Sequence, residues 1–114
     1  MALQAGDIVA SVIGAVKPII AKDGAVIDTF AKKQLQMMAD QAVMIAEGIE
    51  AGDFEGPRKK LLDHHLKMLE TVGRNFVAVL AGLTAITIEK AWNAVVDVVW
   101  GAIDKAVGIA LPRP

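Results

Sequence analysis

The chain has no cysteine. A disulfide framework, a thiolate metal site and a cysteine nucleophile are therefore excluded, while the redox compartment is left open. Tyrosine is also absent, and aromatics are only 4% of the residues, so the apolar mass must come from Ala, Val, Ile, Leu and Met. Charge of one sign is lacking too. Twelve basic and 13 acidic residues give a net charge of −1, which provides no global field for nucleic acid or an anionic surface. Proline is rare, at four residues, and no low-complexity tract or repeat breaks the chain. A long hydrophobic run is missing as well. The longest charge-free stretch, Asn75 to Ile88, has 14 residues. As a helix it would span about 21 Å, short of the ~30 Å of hydrocarbon that a transmembrane helix must cross. The apolar start from Ile8 to Val16 follows Asp7 as its first charge, so it lacks the basic n-region of a signal peptide. A cytoplasmic or virion-associated location is the expectation.

The 114 residues suffice for one domain. With 54% hydrophobic residues and a mean hydropathy of +0.47, disorder is excluded. Breakers divide the chain. Pro18 and the Asp23-Gly24 pair interrupt the first apolar segment, and the densest cluster is Glu50 to Pro57. Pro57 suits a first helical position, where its missing N–H costs nothing. Between these stops the period is helical. One seam runs Ala31, Leu35, Met38, Ala42, Ile45, Ile49 at spacings of 4, 3, 4, 3, 4, and Lys33, Asp40 and Glu47 recur every seven on its opposite face. A second seam runs Leu62, Leu66, Leu69, Gly73, Phe76, Leu80, Leu83. Val95 to Val99 would suit a strand on propensity, but Lys90, Asp97 and Asp104, seven apart, mark a helical stripe.

These patterns predict an all-α fold in a single helical domain, residues 1–114. One helical arm covers about 3–50 with a break near 18–24. A loop follows at 51–57, then a second arm over about 58–110, with a kink near Gly82 or Gly101, and a Pro-ended tail at 111–114. Two straight arms would each be about 75–80 Å long. Arms broken in their middles would instead give a four-helix-bundle-like unit. Periodicity does not choose between this and a helical hairpin.

The second arm is apolar nearly all round, and such a helix must be buried nearly all round. Cover could come from the N-terminal segment, from other copies, or from lipid. The expectation is a homo-oligomer whose interface includes Ile86, Trp92, Val95, Val96, Val99, Trp100 and Ile103. The stripe Lys90, Asp97 and Asp104 would face water or make ion pairs between subunits. Ringing a pore is the sharper alternative for that stripe, but a mid-bilayer Asp costs about 3 kcal/mol.

Candidates for chemistry are few. His64 and His65 are adjacent, so on a helix they point about 100° apart and cannot chelate one ion together. Arg58-Lys59-Lys60 with Lys67 is the one basic cluster; acids flank it and no aromatics interleave, so nucleic acid is not expected. Ser11 is the one serine and has no neighbouring histidine in sequence. Glu47 and Glu50 are acids at a helix end. No phosphate loop, dinucleotide fingerprint or zinc spacing occurs. Neither catalytic activity nor a cofactor is expected. Met37, Met38 and Met44 with Phe30 form an adaptable apolar patch that could meet another protein.

The expected function is that of a non-enzymatic, self-assembling structural or scaffold protein. Its style, small, cysteine-free and Ala/Val-rich, is that of many phage and virion accessory components. The alternatives are a membrane-active protein of pore-forming, holin-like or ejection type, and a small adaptor or inhibitor that binds through an apolar helical face.

Overall fold

The computed structural model describes residues 3–19, 29–83 and 88–114, and among them every regular element is helical. Four α-helices follow in order: α1 (Ala5–Val16), α2 (Thr29–Glu50), α3 (Lys59–Leu83) and α4 (Ile88–Val107). Short 3₁₀ turns lie at Lys17–Ile19 and Gly56–Arg58. Both expected arms are thus divided, and the long axis of the chain is 47 Å, too short for a straight arm. The first arm breaks after Val16, at the 3₁₀ turn that carries Pro18. Asp23-Gly24 lies outside the described residues. The second divides between Leu83 and Ile88, and Gly101 lies inside α4 without interrupting it. Val95 to Val99 are helical. The predicted loop at 51–57 is present, with Gly52 at φ +76° and Gly56 at φ +59°, a region where a β-carbon is strained.

The core follows the predicted seams. Ala31, Leu35, Met38, Ala42 and Ile45 of α2 are buried, as are Leu69, Phe76 and Leu80 of α3. At the α2–α3 end the seams loosen, and Ile49, Leu62 and Leu66 are half-buried. Helix α1 adds Ile8, Val12 and Val16, spaced by four on one face. Helix α4 adds Ala91, Trp92, Val95, Val99, Trp100 and Ile103. Helices α2 and α4 each pack against the other three, whereas α1 packs on α2 and α4, and α3 does likewise. The outer stripe Lys33, Asp40, Glu47 is exposed.

Gly73 shows why one seam position is empty. A β-carbon there would lie 3.0 Å from the Trp92 ring and 3.3 Å from Met38 Sδ. The missing side chain is the seat of Trp92, whose outer face is covered by the Arg74 guanidinium at 4.3 Å from the ring centroid. Gly101, by contrast, would place a β-carbon in open space. Opposite signs are expected. Gly73→Val should lose about 1–3 kcal/mol by overpacking, whereas Gly101→Ala should gain about 0.5–1 kcal/mol from helix propensity. Urea unfolding of both variants checks this. A Gly73→Val protein as stable as the parent would show that Trp92 does not depend on that seat.

Candidate interaction surface

The α4 side chains expected to meet another copy are placed first. Val95, Val99 and Ile103 are fully buried, Trp100 is 1% exposed and Trp92 is 9% exposed. The chain's own helices cover them, because α4 is flanked by α1, α2 and α3. Val96 is half-buried and packs on the same core. Ile86 lies outside the described residues. The buried face of α4 is therefore covered internally and calls for no second molecule, while Ile88 at the start of the helix is 58% exposed and Val98 is half-buried. Trp92 and Trp100 meet each other edge to face, with centroids 6.0 Å apart.

The polar stripe separates into two kinds of position. Lys90 and Asp97 are exposed. Asp104 is half-buried and holds the tail of its own chain. Its Oδ1 accepts the Leu111 N–H at 2.8 Å, and its Oδ2 pairs with Arg113 Nη1 at 2.7 Å. Gly108, at φ +75°, donates its N–H to the Asp104 carbonyl at 2.8 Å and turns the chain off α4. Leu111 is thereby buried, and Pro112 and Arg113 line a shallow groove with Trp100 and α3. The expectation that Asp104 faces water or a second subunit is corrected: its partner is Arg113, nine residues along the same chain. In sequence the signal was only two opposite charges on either side of Gly108.

The methionine patch is divided. Met38 is buried, whereas Met37 and Met44 are 58% and 53% exposed. The side chain of Phe30 lies outside the described residues. Across from Met37 and Met44, α3 exposes Leu61 and Met68, again seven apart. One end of the two pairs is brought together directly, while at the other end Met68 lines a separate shallow groove on α3 and helical spacing puts Met37 near its level. Met44 and Leu61 line one open groove of about 430 Å³, together with Gly48, Phe54 and His65. Gln41, between the two methionines in α2, donates from Nε2 to His65 Nδ1 at 3.3 Å. His65 lies between Leu61 and Met68 in α3. The Phe54 ring closes the end of this surface. It rests on Gly48, where a β-carbon would come within 2.5 Å of it. The pairing of Met37–Met44 with Leu61–Met68 was missed in the sequence. The available signal was a second apolar spacing of seven on each helix, outside the core seam.

No family model, no curated protein and no solved structure matches this chain.

The remaining candidates sit apart. His64 is exposed and turned from His65, their centroids 5.9 Å apart at 65°. Among the described residues no three His, Asp or Glu side chains gather where they could hold a metal ion. Arg58, Lys59, Lys60 and Lys67 are exposed along the start of α3. Ser11 is exposed on α1, away from the core face of that helix. Glu47 and Glu50 are exposed at the end of α2. No helix among the described residues is long and apolar enough to cross a membrane.

Proposed function

We propose that this protein is a non-enzymatic helical building block that acts by self-assembly, as a structural or scaffold component. The observation that carries the reading is the α2–α3 surface. Four large apolar side chains, Met37, Met44, Leu61 and Met68, stand between 42% and 58% exposed on adjoining faces of two packed helices. Single exposed apolar residues are ordinary on a protein surface, but an aligned group of this kind marks a contact site. Methionine and leucine suit such a contact, since they adapt to a facing surface with little loss of packing.

Light scattering coupled to size-exclusion chromatography in detergent-free buffer tests the proposal. The expected mass is a multiple of 12.0 kDa at micromolar concentration, and it should fall on dilution. A mass of one chain throughout the concentration range would overturn it. A mass that becomes defined only in detergent would point to lipid as the missing cover.

A further inference from the structure

We infer that the occupant of the α2–α3 surface is a second copy of this chain, docked about a two-fold axis parallel to the helices, so that each α2 lies over its partner's α3. The inference rests on the self-assembly reading and specifies its geometry.

Charge carries the argument. The apolar strip is bordered by opposite charges on its two sides. On the α2 side, Asp40 and Glu47 lie beyond the methionines, and Lys33 of the same stripe lies one turn past Met37, outside the strip. On the α3 side, Lys60 and Lys67 lie beyond Leu61 and Met68, and the acids Asp63 and Glu70 follow a further step round the helix, toward the tail. Asp40, Glu47, Lys60 and Lys67 are all exposed. Helical periodicity orders the surface from one edge to the other as acid, Met, the Gln41–His65 link, Leu and Met, then base. Such a surface cannot be laid on a copy of itself in any arbitrary orientation. A two-fold axis across the strip would bring α2 over α2, acid on acid. An axis along the strip brings each acidic edge over the partner's basic edge, twice by symmetry.

The register agrees. The Gln41–His65 hydrogen bond fixes the antiparallel alignment of α2 with α3. Counting outward from it puts Asp40 within one residue of the level of Lys67, and Glu47 within one residue of the level of Lys60. Rotation about an axis parallel to the helices preserves these levels. Asp40 therefore faces the partner copy's base at position 67, and Glu47 the one at position 60. Asp40 already accepts one hydrogen bond from Gln36 at 2.9 Å, which leaves its second oxygen for the facing ammonium. Met37, Met44, Leu61 and Met68 are covered in the same act, and the charged edges form the polar rim usual around an apolar contact.

The test uses two variants of the full chain. Lys60→Glu with Lys67→Glu makes both edges acidic, and Asp40→Lys with Glu47→Lys makes both basic. All four positions are exposed, so circular dichroism should show unchanged helix content. In sedimentation equilibrium each variant alone should associate about tenfold or more weakly than the parent, because attraction at four rim pairs becomes repulsion. An equimolar mixture of the two should recover association, as a mixed dimer with opposite edges facing. A nitroxide on Met68→Cys, unique in this cysteine-free chain, should show dipolar broadening that dilution with unlabelled chain removes. If the parent associates but both variants associate equally well and the label shows no broadening, the copies meet elsewhere. The geometry is then overturned and self-assembly stands. If the parent itself is a single chain at high concentration, both fail together. Parent chains that stay single but bind another helical protein through Met44 and Met68 would replace the second copy with that partner.

Discussion

Val99→Asp should unfold the protein. Val99 has no exposed surface and belongs to α4, the helix that packs against α1, α2 and α3. No polar or charged side chain is buried among the described residues, so an aspartate placed there meets no donor or cation. Its carboxylate must lose its hydration, take up a proton, or drag α4 outward, and the methyl packing is lost as well. Together these cost more than about 4 kcal/mol, against the roughly 5–15 kcal/mol that holds a domain folded. Far-ultraviolet circular dichroism at 25 °C should show most of the helical signal gone or a greatly lowered urea midpoint. Asp97→Asn, two residues away on the exposed side of α4, should change stability by less than about 0.5 kcal/mol. A Val99→Asp chain that keeps its full helix content and stability would mean that this face of α4 is open to water.

Trp100→Ala should be the costliest truncation. The indole is 1% exposed, packs edge to face on Trp92 and lies beneath the tail held by Asp104. Removing it opens a cavity on both sides, beneath Trp92 and beneath Pro112. The expected loss is about 3–5 kcal/mol, read as a fall of roughly 2 M in the urea midpoint at the denaturant slope of a small domain. A loss below about 1 kcal/mol would mean that the tail and α3 collapse into the space, and that the groove between them is soft.

The helices were legible because their seams are regular. The 4-3 spacing from Ala31 to Ile45 and from Leu69 to Leu80 is the packing stripe itself, and both runs are buried. The choice between long arms and four helices was not legible, since Gly82 has no loop chemistry around it and a glycine alone does not stop a helix. The apolar circumference of α4 signalled burial on nearly every side, but full burial is confined to one side of the helix, from Ala91 and Trp92 to Ile103, while Ile88, Lys90, Asn93 and Asp97 are exposed. The source of that burial could not be read, because periodicity describes one helix at a time and does not say which neighbour faces which side. The candidate surface was hidden for a related reason. Met37 and Met44 stood out in the sequence, but Leu61 and Met68 become their neighbours only when α2 and α3 lie antiparallel. The Asp104–Arg113 pair depends on a turn at Gly108 that a preference for glycine marks but does not aim.

The packing of α1 on α2 and α4 has a dynamic consequence. Helix α1 occupies one corner and is anchored by Ile8, Val12 and Val16, so it is the element whose departure disrupts the fewest other contacts. Its opening would leave α2, α3 and α4 in mutual contact and would uncover the faces of α2 and α4 against which it packs. Partial openings of this kind lie below the free energy of complete unfolding. The first amides to exchange with solvent from a closed helix should then be those of α1. The surface briefly shown in that state would be the apolar channel between α2 and α4 that α1 had filled, wide enough for another helix of the same kind.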